Sequence, residues 1–288
     1  IPDTLSILFE TCGKDLDTIR YFYSTQNFKP IFVKSFESQS FVDSLLYIFG
    51  QATEHGLNPE TYHYSLIKSE FYQLLIPDVD NNKRYFNLAN TELLIADAIL
   101  KYSSHMRHGV VNPRVIYPDS YFIPVKDSLN KQLFEPFKQN DIIQYLYSIQ
   151  PKSNKYKKLQ TALKRFESLK DIEWRKIPIP NKKIEVGHSF VQLNLVANRL
   201  ITLGFLDTNK VKINDFALYD SLLVEPIISF QRANGFNGDG AIDKSTIERL
   251  NITPEEYIDK IKLTLERFRW IDYSDTARYI LVNIPDFK

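Results

Sequence analysis

Arg232, Asn234, Asn237 and Asp239 are the side chains best placed by type to hold a polar ligand. They lie within FQRANGFNGDGAIDKSTIERLN (230–251), where amide, carboxylate and guanidinium groups are set among glycines. Such groups beside an apolar groove suit a ligand rich in amides, hydroxyls and carboxylates. The stretch holds no acid–base pair and no nucleophile, so the chemistry it offers is recognition.

The other reactive side chains form weaker patterns. His105 and His108 are three apart near a helix end and could meet on one face as metal ligands. No Cys, Asp or Glu at ligand spacing accompanies them, and His-Glu-x-x-His is missing. A last-turn role favoured by the helix dipole is the plainer expectation, so neither a metal nor a cofactor is expected. His55 and His188, each beside a glycine, add nothing to this. Glu266, Arg267 and Arg269 around Trp270 would need a second carboxylate at defined separation to cleave a glycoside. An ion-paired helix face is the expected role. The lysine-rich 152–183 reads as a solvated surface. Cys12, the one cysteine, cannot form an internal disulfide and leaves the redox compartment open.

The elements that must position the polar set follow from periodicity. Leu223, Ile227 and Phe230 (i, i+4, i+7) give one helix face. Gly235 falls where a left-handed cap is needed, and Asp243 caps a second helix whose inward face is Ile247 and Leu250. Pro226 is expected to kink the first helix or delay its start. Leu193, Val196, Leu200 and Leu203 form a third helix, ended by Gly204. The sequence therefore predicts a three-helix unit over 183–252, preceded by the proline-broken, solvated connector IPIPNKK (177–183).

Residues 1–180 read as mostly helical. Their helices carry Ile19, Phe22 and Tyr23; Phe41, Leu45, Ile48 and Phe49; and, after Asn90-Thr91, Leu94, Ile95, Ala98, Ile99 and Tyr102. Further helices start at Asn58-Pro59, Asp141 and Ser153, and 111–139 reads as a long ordered loop. Thr253-Pro254-Glu255-Glu256 opens a return helix to Trp270, and 278–287 turns β-rich, a strand signal without a nearby partner that looks cut. The fold class expected is mainly α, with a short β segment at the C-terminal end, over 1–182, 183–252 and 253–288.

Composition narrows the partners. A net charge of +1 over 288 residues argues against nucleic acid. No run of apolar residues is long enough to span a membrane. With 17 Tyr and 20 Phe, most aromatics must serve the core, and a carbohydrate-stacking role needs separate support. The chain opens at Ile1 without signal features, the look of a processed or engineered start, which leaves export open.

In order, these parts resemble the non-catalytic portion of the large, multi-domain L,D-transpeptidases of bacterial envelopes. HGLNPETY (55–62), HGVVNP (108–113) and YLYSIQPKSNKYKKLQTALKRF (145–166) look like the family's helical scaffold. The FQ…G…DG…T…LN pattern of 230–251 looks like the core of a peptidoglycan-binding domain. LTLERFRW (263–270) and RYILVNIPDF (278–287) resemble the helix and strand leading into the catalytic domain. The resemblance implies a periplasmic protein that binds peptidoglycan, with Arg232, Asn234, Asn237 and Asp239 as candidate contacts. It also implies a catalytic domain, beyond Phe287, whose cysteine cross-links stem peptides. That domain's Ser-His-Gly-Cys-type motif is not in this sequence, and Cys12, in Thr-Cys-Gly, cannot take the nucleophile's role. The alternative reading is a stand-alone envelope adaptor.

Overall fold

The computed structural model describes residues 3–5, 17–76, 80–116, 134–207 and 218–271. The protein is mainly helical. Among the described residues the only extended pairing is a single antiparallel bridge between Ile184 and Ile242. The β-rich 278–287 and Cys12 lie outside the described residues. The chain divides into two compact units, Ile1–Arg165 with Asp259–Lys288, and Phe166–Ile258.

The first unit holds α1 (Asp17–Thr25), α2 (Gln39–Gly50), α3 (Tyr64–Leu74), α4 (Asn81–His108), α5 (Pro113–Ile116) and α6 (Ile142–Ser148). It also takes most of α7 (Asn154–Glu167) and of α11 (Pro254–Trp270). The 28-residue α4 is its centre: Leu93, Ile95, Ala96, Ala98, Ile99, Leu100, Tyr102 and Met106 are all buried. A helix apolar on nearly every side must be wrapped by others. Phe49 of α2 and Phe71 of α3 join α4 in one core. Burying a side chain of that size is worth about 1.5–3 kcal/mol.

Two helix starts differ from the sequence expectation. α4 begins at Asn81 rather than near Asn90, because Asp80 caps it by accepting from the Lys83 amide (3.2 Å). Residues 81–86 are all exposed, so no apolar period marks those turns. The helix expected from Asn58-Pro59 is one 3-10 turn, Pro59–Tyr62, although Asn58 does cap it through the Glu60 amide (3.0 Å). His63 then takes a left-handed conformation (φ +54°), and α3 starts afresh at Tyr64. Within 111–139, expected as loop, α5 and a 3-10 turn (Glu135–Lys138) are formed, while 117–133 lie outside the described residues.

The end of α4 is closed by Gly109, whose amide donates to the His105 carbonyl (3.0 Å) at φ +82°. A Cβ there would come within 2.5 Å of Glu266 Oε1 and 2.6 Å of the Trp270 ring. Glycine is required at this position by handedness and by space together.

The second unit is built on α8 (Leu193–Thr202), α9 (Ser221–Ala233) and α10 (Lys244–Leu250). Leu193, Val196, Leu200, Leu223, Ile227, Phe230, Ile247 and Leu250 form its core. Pro226 does not delay α9: Asp220 caps the helix through the Leu222 amide (3.0 Å), and it runs on to Ala233. The Leu222 carbonyl, which Pro226 cannot donate to, belongs to a half-exposed residue that water can serve. The 177–183 stretch is solvated at 178, 179 and 181–183, as its composition implies, and anchored at its first residue. Ile177 is buried in the second unit's core, and its amide and carbonyl pair with the Asn251 side chain (2.8 and 2.9 Å). Arg199, also buried, lies 3.6 Å over the Trp174 ring and donates to the carbonyls of Leu250 and Arg175.

Candidate functional site

The α9–α10 loop is built on Gln231, a buried residue of the last turn of α9. Its Nε2 donates to Asp239 Oδ1 (3.2 Å), the Ala241 carbonyl (2.9 Å) and Thr246 Oγ1 (3.1 Å). Its Oε1 accepts from the Gly240 amide (2.9 Å). One side-chain amide thereby fixes the returning segment of the loop and the start of α10. Asp243 caps α10 by accepting from the Thr246 amide (2.8 Å). Tyr219 donates its hydroxyl to the Gly240 carbonyl.

The four candidate residues play different parts on this frame. Asp239 accepts from Lys183 Nζ (2.8 Å) and from the Ala241 amide (3.0 Å). Those two contacts, the ammonium first, hold its carboxyl below the usual aspartate range, so it is a fixed anion rather than a proton donor. Asn234 turns inward: its Nδ2 donates to the Phe230 carbonyl (2.8 Å), closing α9 ahead of Gly235 at φ +78°. Arg232 lies over Gly238, where a Cβ would stand 2.7 Å from its Nε. Arg232 and Asn237 are exposed, and among the described residues neither side chain has an ion-pair or hydrogen-bond partner. The loop therefore brings together one oriented anion and two uncommitted polar groups, a set able to hold a ligand and unable to move a proton. Gln231 and Lys183 are missing from the sequence-derived set. The Phe-Gln pair was the visible signal for the first, and Lys183 carried none beyond its charge.

A second polar centre lies inside the first unit. Arg269, 1% exposed, donates to Glu266 Oε2 (2.6 Å), the His55 carbonyl (2.9 Å) and the Tyr156 hydroxyl (3.1 Å). Glu266 Oε1 accepts from the Trp270 indole (3.0 Å) and the amides of Val110 (2.7 Å) and Val111 (2.9 Å). Burial pushes the Glu266 carboxyl up, but these donors outweigh it and its net shift is downward. His55 Nδ1 meets the Tyr156 hydroxyl at 2.9 Å, and burial beside Arg269 lowers its imidazole to about 4. His105 pairs with the Tyr62 hydroxyl (2.9 Å), not with a metal-binding partner. Each of these side chains is committed to a neighbour, as expected for a structural knot, although the buried Arg269 Nε has no hydrogen-bond partner among the described residues. Among the described residues no cluster of three or more His, Cys, Asp or Glu could hold a metal, and no helix is long and apolar enough to cross a membrane.

The sequence model of one family, described as the Scaffold domain, matches residues 17–163, which run from α1 into α7. No curated protein matches the chain in sequence.

Proposed function

Starting from the Scaffold domain family, to which this chain belongs, we propose that it is the non-catalytic scaffold and peptidoglycan-binding region of an L,D-transpeptidase of the bacterial envelope. The family match is the observation that supports the scaffold half of the reading. It covers the helical body in which HGLNPETY, HGVVNP and YLYSIQPKSNKYKKLQTALKRF suggested a scaffold. The loop of the second unit supports the binding half, because Arg232 and Asn237 are exposed and uncommitted on a frame that Gln231 makes rigid. Amides, hydroxyls and carboxylates of a stem peptide or amino sugar match those groups. In this reading the chain holds substrate in the periplasm. Acyl transfer through a cysteine thioester then belongs to a catalytic domain of the parent protein.

Retention of the purified chain on isolated sacculi tests the binding half. The double variant Arg232→Ala/Asn237→Ala is expected to wash off where the wild type stays, and equal retention would remove the loop as the site. Incubation with a carbapenem followed by intact-mass measurement tests the other half. A covalent adduct on this chain would overturn its non-catalytic role.

A further inference from the structure

Between α2 and α3 of the first unit lies an open groove of about 270 Å³ that the scaffold reading does not use. Asp43, Tyr47 and Gly50 form its α2 wall, at spacings that share one helix face, and Gln51 follows directly after the helix. Tyr64, Lys68 and Tyr72 form the α3 wall at i, i+4 and i+8. The core faces of the same helices are made by other residues, Leu45 and Phe49 on α2 and Ile67 and Phe71 on α3. Two of the tyrosines are therefore not needed inside, Tyr47 being 61% exposed and Tyr72 39%, while the partly buried Tyr64 also packs against the core. Singly exposed aromatics are ordinary, but three rings converging on one groove are not scattered.

The polar groups of the groove are also arranged for a guest. The Tyr72 hydroxyl donates to Asp43 Oδ1 (3.1 Å), which orients the carboxylate and leaves Oδ2 for another donor. Asp43 and Lys68 line the same groove, yet among the described residues neither is ion-paired, with the other or with anything else. Gly50 keeps the floor low, since a Cβ there would meet the Tyr64 ring at 3.3 Å. A helix tolerates glycine at a cost of about 0.5–1 kcal/mol against alanine, so its use where alanine would crowd the ring has a packing reason.

We propose that this groove is a carbohydrate-binding site that takes a pyranose unit of a glycan. Tyrosine rings offer apolar faces to the C–H face of a sugar. Asp43 accepts from hydroxyls, Lys68 donates to them, and the Gln51 amide does both. A proline-rich peptide also favours aromatic grooves, but it has few N–H groups to satisfy the Asp43 carboxylate. A hydroxyl-rich ligand satisfies it. The inference stands on the first unit alone and needs no binding by the α9–α10 loop.

Saturation-transfer NMR on the full chain with cellotetraose and chitotetraose, β-linked sugars without and with N-acetyl groups, tests it. At least one sugar is expected to receive saturation. Tyr47→Ala should weaken its binding by about tenfold, the upper end of an aromatic contact. Asp43→Asn should weaken binding as well, and Arg232→Ala/Asn237→Ala should leave it unchanged. Loss of sacculus retention in that double variant with sugar binding intact thus separates the two sites. No transfer to either sugar at about 10 mM, beyond which a site is too weak to be specific, would overturn the proposal. Unchanged binding by a Tyr47→Ala variant with a wild-type melting curve would do so too, as would binding of decaproline in place of the sugars.

Discussion

Glu266 and Asp239 are both carboxylates that tie separate segments of their own unit together, yet one is sealed and the other stands in water. Glu266 accepts from two backbone amides, an indole and a guanidinium whose residue is 1% exposed. Asp239, its side chain about half exposed at 49%, shares its oxygens among Lys183, Gln231 and Ala241. Both carboxyls are lowered, but against different opposition: Glu266 first has to overcome its own burial, whereas Asp239 is lowered chiefly by Lys183. The sealed network spends both Glu266 oxygens on the fold. The open one leaves Arg232 and Asn237 beside it unspent, and that surplus is what the proposed binding rests on.

The contrast can be broken at either end. The largest effect is expected from Arg269→Ala, which strands Glu266 without its buried counter-charge. Removing one partner of such a pair costs about 3–5 kcal/mol, readable as a shift in the urea midpoint. Gln231→Ala comes next, since it leaves the Gly240 amide and the Ala241 carbonyl without their side-chain partner in a buried setting. A loss of about 1–3 kcal/mol is expected. Faster amide exchange at Gly240 would locate it, and unchanged exchange there would show that the loop does not depend on Gln231.

The third effect is one of pH. His55 faces Arg269 and the Tyr156 hydroxyl, and its imidazole falls from 6.5 to about 4 on folding. The unfolded chain therefore takes up the proton first. Stability from this residue is complete above pH 6.5 and declines as pH falls toward 4. Between pH 7 and pH 5.5 the loss is about 1 kcal/mol. Comparing denaturation curves of wild type and His55→Gln at both pH values isolates it; parallel losses in the two proteins would assign the pH dependence elsewhere. The smallest effect on stability is expected from Arg232→Ala. An exposed, unpaired side chain changes stability by no more than about 0.5 kcal/mol, so any loss of sacculus retention in that variant reports on binding.

How much of this was legible depends on how far apart the partners lie. α2, α9 and α10 declared themselves through apolar spacing and through caps such as Asp243, all within a few residues. Gly235 was readable for the same reason, as a left-handed position directly after a helix face ends. The first turns of α4 were not, because a helix that projects into solvent has no inward face to mark it. Asn234 looked like a ligand contact by type, and only the structure shows its Nδ2 donating to the Phe230 carbonyl. The His55 network was invisible: its partners stand 101 and 214 residues away, and no local pattern encodes such a distance. The α2–α3 groove was half visible, since the tyrosine count raised the question of stacking and the fold selected which tyrosines face outward.

Gly109 carries a consequence for how the gene can vary. Any missense change in a glycine codon installs at least a methyl group. At this position a methyl group must displace Glu266 or Trp270 while forcing the backbone out of a conformation that side chains resist. No conservative mutation exists at that codon. Drift elsewhere along α4 is graded by how much volume changes, but here the first step is already the largest, so damage at this codon should be all-or-none.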